Sequence, residues 1–301
     1  MLKSFLKWLH DEGKDEKTIK AYRSTIKQFL KWYEETEGHT DLSQVKAVTI
    51  KEFISYMRNT LNRKQATINK SIASLKTFFT YLIDNEIIKD NPMTRIKIQK
   101  VQATKTVGEK DVSKWLTKEE QEKFISYVEL EKNEFKRLRN LAIIDLMLYA
   151  GLRVAEVEAL RIDDLCIVNG DVRITIREGK KGKYATVTLI ERYSKNLKKW
   201  LKYRQSLEKD IYKESPYLFV SERSGKMGAR AIQIMLNKYA KLAHMKNITP
   251  HRFRHSFCKN LANAGVPIEI ISKLARHESI ETTKIYIDSS HDEMLEALKK
   301  M

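Results

Sequence analysis

The chain has 301 residues, 42% of them hydrophobic and 9% aromatic, with ten glycines and four prolines. That composition excludes a wholly disordered or collagen-like chain, and the length suits two domains better than a single core of ~250–300 residues. The formal net charge is +18, and the excess is spread along the chain. Residues 1–100 carry 19 basic and 12 acidic groups and residues 101–301 carry 38 and 27, which predicts a polyanionic partner met by two globular parts.

The first 92 residues read as helix throughout. Phe5, Leu6, Trp8 and Leu9 open an apolar stripe, and Tyr22, Ile26, Phe29, Leu30 and Tyr33 follow at helical spacing within 18–34. Thr49-Ile50-Lys51-Glu52 has the capping-box pattern ahead of Phe53, Tyr56 and Met57 and predicts a helix start there. Ile68, Ile72, Leu75, Phe79 and Leu82 step by three or four across 65–83, and Asn91-Pro92 closes a four-helix bundle. Residues 93–113 are basic and polar with little periodicity and read as a linker to a second domain, 114–301. Thr117-Lys118-Glu119-Glu120 is another capping box, and a long apolar helix covers about 135–150. The period then changes to two. Asp171–Arg177 and Tyr184–Leu189 alternate, with turn residues at Asn169-Gly170 and in 179–183, so 163–190 reads as a small three-stranded antiparallel sheet. Helices resume over 191–207, 229–243, 250–263, 267–275 and 280–287. The last fifteen residues, with Met294, Leu295 and Leu298 at amphipathic spacing, read as one more short helix. The expected fold class is mainly α with a small antiparallel β-sheet.

No apolar run reaches the ~18–20 residues that a membrane-spanning helix needs. Lys3 and Lys7 interrupt the first ten residues, which do not read as a signal peptide. Cys166 and Cys258 are too few for a disulfide framework or a four-cysteine zinc site, so a reducing, cytoplasmic setting is expected.

Four clusters carry chemistry. Gly151-Leu152-Arg153-Val154-Ala155-Glu156 follows the apolar helix and opens another. Lys180 lies in the turn between the two best strands. His251, Arg254 and His255 lie at i, i+3 and i+4 behind Thr249-Pro250, a cap and first-position pair that places them near a helix N-terminus, an end that attracts anions. His277 and Tyr286 follow, nine residues apart. Together they suit a phosphodiester. Two arginines fork onto nonbridging phosphate oxygens, a histidine takes a proton from a nucleophile, and a lysine gives one to a leaving alkoxide. A tyrosine flanked by such cations is a competent covalent nucleophile. No Asp/Glu cluster of the kind that holds Mg²⁺ accompanies them, so no metal or cofactor is expected.

In this order and spacing the motifs resemble those of the tyrosine recombinases, the phage-integrase family, and most closely its Xer-like members. The resemblance spans nearly the whole chain. It implies an N-terminal helical core-binding (SAM-like) domain over 1–92 and a catalytic domain over 114–301. It also implies catalytic roles for Arg153, Lys180, His251, Arg254, His277 and Tyr286. Tyr286 would attack the scissile phosphate, His251 would serve as base or orient it, and Lys180 would protonate the leaving 5′ oxygen. Glu156 and His255 would support from behind. The implied partner is double-stranded DNA with inverted half-sites, gripped by two basic domains. Four subunits would assemble into a synaptic tetramer through the C-terminal segment. Two departures stand out. Ala275-Arg276 precedes the last histidine where the family usually has Leu-Gly, and a one-residue slip in the hairpin would make Lys181 the acid in place of Lys180.

Taken singly, these residues have plainer readings. Arg153 suits an ion pair with Glu156 or Glu158, Lys180 a solvated hairpin tip, His277 a helix cap, and Tyr286 a core aromatic between Ile285 and Ile287. Cys258 reads as a small buried hydrophobe. Three other functions remain open: a type IB topoisomerase, a catalytically silent sequence-specific DNA-binding protein, and a zinc hydrolase built on the i, i+4 pair His251 and His255.

Overall fold

The computed structural model describes residues 1–99, 114–177, 184–277 and 279–286. The chain divides into two compact units, 1–108 and 109–301, each with its own core.

The first unit is built from α1 (Leu2–Asp11), α2 (Glu16–Glu37), α3 (Ala47–Asn59) and α4 (Gln65–Asp84). Asp15 caps α2 by accepting from the Thr18 N–H, and Gly38 ends it in the left-handed conformation. The apolar stripes converge on Phe29, which meets Phe53 edge-on at 5.2 Å and Phe79 at 5.8 Å. The capping box at Thr49 is not used. α3 begins earlier, at Ala47, and Thr49 is buried inside its first turn. A short 3₁₀ turn over Leu42–Gln44, anchored by buried Leu42 and Val45, delivers the chain into the helix ahead of the expected cap. Met93 and Ile96, inside the stretch read as a linker, are buried in this same core.

The second unit holds α5 (Lys118–Glu129), α6 (Glu134–Tyr149), α7 (Val154–Ala159), β1 (Leu165–Val168), β2 (Asp171–Arg177), β3 (Tyr184–Leu189), α8 (Glu191–Gln205), α9 (Asp210–Lys213), α10 (Ala229–Leu242), α11 (Pro250–Asn263), α12 (Ile268–Ala275) and α13 (Glu281–Lys284). Here the capping box forms: Thr117 accepts from the Glu120 N–H, and Glu120 reaches back to the Thr117 N–H. Every residue of α6 from Leu141 to Leu148 is buried, so this helix runs through the core. The sheet is antiparallel in the order β1-β2-β3. Val172, Ile174 and Ile176 alternate inward from β2 onto that core. The four-residue α9 is not marked by hydrophobic spacing. Among the described residues no helix is long and apolar enough to cross a membrane. The hairpin tip 178–183, with Lys180, Lys181 and Lys183, and the expected terminal helix over 287–301 lie outside the described residues.

Candidate active site

All the described candidate residues lie in the second unit, on segments joined by backbone carbonyls. α6 ends at Tyr149 and the chain turns at Gly151, where φ is +62°. A Cβ there would come within 2.5 Å of the Phe257 ring, so both the backbone and the close approach call for glycine. The turn delivers Arg153 to the start of α7. Glu156 fixes it: one carboxylate oxygen accepts from the Arg153 backbone N–H at 2.7 Å and the other from Nη1 at 2.9 Å. The remaining terminal nitrogen, Nη2, donates to the carbonyl of Arg276 at 2.8 Å. The Arg153 side chain stays 42% exposed, open to an incoming anion.

Thr249 caps α11 by accepting from the Arg252 N–H at 3.3 Å, and Pro250 occupies its first position. One face of the helix then carries His251, Arg254, His255, Cys258 and Lys259. Arg254 is only 3% exposed, and its guanidinium donates to the carbonyls of Gly151 and Ala275, tying the α6–α7 turn to the end of α12. Burial, and then the neighbouring cations Arg153 and Arg276, lower its pKa to about 10. It remains charged at neutral pH.

α12 ends at Ala275, and Arg276 adopts φ +53°, ψ +49°. Glycine takes this left-handed conformation freely; a residue with a Cβ does so at a cost of about 1 kcal/mol or more. Arg276 is held by the Glu156 carboxylate, to which its Nη2 donates at 2.6 Å. Glu156 thus serves Arg153 and Arg276 at once. His277 follows, its Nδ1 paired with the Thr283 hydroxyl at 2.8 Å. Burial, and then Arg254, lower the His277 pKa to about 4.

Tyr286 is 1% exposed and belongs to a small separate cluster with Phe257, Cys258, Ile271 and Ala275. His277 stacks against it with centroids 6.3 Å apart, and Trp115 approaches from another side at the same distance. Its hydroxyl is hydrogen-bonded to Nδ1 of His255, and the Cys258 thiol lies beside it. Burial, and then Cys258, push the phenol pKa up. His255 is held down at about 4, first by burial and then by His251, so its ring is neutral at physiological pH. His251 packs edge-on to His255 at 4.3 Å and is exposed.

The structure therefore brings together Arg153, Glu156, His251, Arg254, His255, His277 and Tyr286. Two contributors had little sequence signal. Thr283, fully buried, fixes the His277 ring; only its place one turn before Tyr286 hints at this. Lys259 donates to the Tyr286 carbonyl at 3.2 Å, and its helical spacing from His255 is the only hint. Among the described residues no group of three His, Cys, Asp or Glu side chains is placed to hold a metal ion, so the pair His251 and His255 has no third ligand there.

Comparison with known proteins adds an independent line. Residues 114–293 match the phage integrase family, and residues 1–89 match the phage integrase N-terminal SAM-like domain. The TnP I resolvase of Bacillus thuringiensis is 32% identical over 288 residues, covering 94% of this chain and 93% of the relative. The tyrosine recombinase XerC of Leptospira interrogans is 28% identical over 233 residues, covering 77% and 70%. Among solved structures, the XerH site-specific recombinase bound to its difH substrate superposes with a TM-score of 0.72 at 22% identity, covering 93% of this chain and 78% of that one. The Tn1549 transposon integrase in complex with circular intermediate DNA gives 0.72 at 23% identity, covering 99% and 98%. At these identities the structural likeness speaks to fold.

Proposed function

The chain belongs to the phage integrase family, and on that premise we propose that it is a site-specific DNA recombinase that cuts and rejoins duplex DNA through a 3′-phosphotyrosyl link at Tyr286. The observation that carries this reading is the convergence of Arg153, Arg254 and Tyr286. Arg153 donates to the residue 276 carbonyl and Arg254 to the residue 275 carbonyl, just before His277, whose ring stacks on Tyr286.

The chemistry follows from the side chains. Tyr286 attacks the scissile phosphate, leaving a free 5′ hydroxyl. Arg153 and Arg254 neutralise the charge that develops on the nonbridging oxygens, and His277, its Nδ1 engaged by Thr283, offers Nε2 to the same phosphate. An imidazole on α11 takes the tyrosine proton, and Lys180 of the hairpin protonates the leaving oxygen. The bond energy stays in the covalent link, so the reaction needs neither ATP nor a metal. Residues 1–92 form the core-binding domain, joined through 93–113 to the catalytic domain 114–301. The +18 charge suits two basic bodies gripping one duplex that carries inverted half-sites. The enzyme works in the cytoplasm as a synaptic tetramer assembled through the C-terminal segment.

The test is a nicked suicide duplex, which traps a covalent adduct after cleavage. An adduct lost in Tyr286→Phe supports the reading. No adduct from the wild type would point to a silent DNA-binding protein. Relaxation of supercoiled plasmid lacking any specific site would point to a type IB topoisomerase, and activity lost to EDTA to a metallohydrolase.

A further inference from the structure

Two histidines on α11 are candidates for the proton acceptor in the cleavage step, and they are not equivalent. The motif position His251 is exposed, and its ring packs edge-on against His255 at 4.3 Å. His255 is the ring whose Nδ1 touches the Tyr286 hydroxyl. Three residues of α11, within about one helical turn, hold Tyr286: His255 at its hydroxyl, Cys258 beside that hydroxyl, and Lys259 at its backbone carbonyl, 3.2 Å away. A base must first be within hydrogen-bond reach of the proton it removes, and His255 meets that condition.

We propose that His255, rather than His251, accepts the proton of Tyr286 when the tyrosine attacks DNA; this rests on the recombinase reading above. As the Tyr286 oxygen bonds to phosphorus, its proton moves to His255 Nδ1. The bond from phosphorus to the 5′ oxygen breaks, and that oxygen takes a proton from the separate general acid. Rejoining reverses each transfer, with the His255 proton returning to the tyrosine oxygen.

The surroundings favour this role. The groups facing His255 are His251 and Arg254 on its own helix, Lys114 ahead of α5, His277 at the end of α12, and Tyr286. Burial first, and then these neighbours, keep the ring neutral, with its lone pair available. They also disfavour the imidazolium once formed, so the proton is readily returned when the strands rejoin. A deeply buried phenol with a raised pKa does not ionise alone, so proton removal must accompany attack. His251, which is exposed, is left to contact the DNA.

The experiment uses the full-length chain, a nicked suicide duplex and single-turnover adduct formation across pH 5.5–9, for wild type, His255→Asn and His251→Asn. The wild-type rate should be nearly flat above pH 6. His255→Asn should form adduct ~10²–10⁴-fold more slowly at pH 7. Its rate should then climb about tenfold per pH unit, because hydroxide must do the deprotonation. His251→Asn should be slower with the wild-type profile shape. A structural role for His255 would lower the rate without creating that slope. As a second measurement, imidazole added to His255→Gly should restore adduct formation, and the same addition to His251→Gly should not. A wild-type-shaped profile in His255→Asn, or the hydroxide slope or imidazole rescue appearing at position 251 instead, would overturn the assignment. Failure of the recombinase reading looks different: the wild type itself would yield no adduct at any pH.

Discussion

The two units solve the problem of a stable interior in opposite ways. The first buries aliphatic and aromatic side chains, and among its described residues the only buried polar ones are Thr49, Ser71 and Ser74. The second also buries Arg139, Asp145, Asp164, Arg204, Arg252 and Arg254. Burying a charge is costly unless it is well partnered. Three of these arginines meet the cost in the same manner, each donating to two backbone carbonyls: Arg204 to Tyr212 and Ser215, Arg252 to Lys246 and Trp115, Arg254 to Gly151 and Ala275. An apolar core holds helices together but leaves loop ends free to adjust. A guanidinium fork fixes two loop ends to each other. That is what a phosphate site assembled from a turn, a helix and a helix terminus requires.

The largest expected effect falls on one oxygen atom of the second unit. Tyr286→Phe should abolish covalent attachment while leaving duplex affinity nearly unchanged, read by denaturing electrophoresis and gel shift. A persisting adduct would move the nucleophile elsewhere.

Next comes the apolar side of the comparison. Phe29→Ala opens a hole between Phe53 and Phe79 and should destabilise the first unit by about 3–5 kcal/mol. Hydrogen exchange should show α1 to α4 losing protection while α11 keeps its own; loss spreading equally to α11 would mean that the two cores do not behave as separate units.

Arg254→Ala tests the polar side. Removing the buried guanidinium should slow adduct formation ~10²–10³-fold, the usual worth of a charge-stabilising donor. Two carbonyls lose their donor with it, so the second unit should also melt earlier. A variant that melts earlier yet cleaves at full rate would make Arg254 a structural clamp alone.

The smallest effect concerns pH, where titratable groups of the second unit act against each other. Burial raises the Asp145 carboxyl to about 7, so the folded chain keeps this proton in a range where the unfolded chain, with its ordinary value of ~3.9, has lost it. Its contribution to stability is complete below about pH 4 and is lost as pH rises through about 7. His255 and His277, both lowered to about 4, act in the other direction. Their contribution is complete above the unfolded value of ~6.5 and is lost as pH falls towards 4. Asp145→Asn removes one side of this balance, so thermal unfolding of the variant should show a steeper loss of stability between pH 6.5 and 4 than the wild type. An identical slope would mean that Asp145 titrates normally. The first unit buries no carboxylate or histidine among its described residues and should be indifferent to this range.

What the amino-acid sequence determined by itself is local. Apolar residues three and four apart mark the helices, and alternation marks β2 and β3. Thr117-x-x-Glu120 and Thr249-Pro250 mark helix starts, because each signal is complete within a few residues. The same kind of signal fails at Thr49, where buried Leu42 and Val45 set the entry to α3. The residue types of the site are also legible, since their chemistry belongs to the side chains and their spacing resembles a known family. Which atoms meet is decided only by tertiary structure. Arg153 and Arg276 are 123 residues apart, Arg254 and Gly151 are 103 apart, and His255 and Tyr286 are 31 apart. No periodicity reports such pairings. Whether His251 or His255 lies against the tyrosine depends on how α12 and α13 fold back over α11. Both histidines lie on the same face of that helix, and only packing brings Tyr286 to one of them.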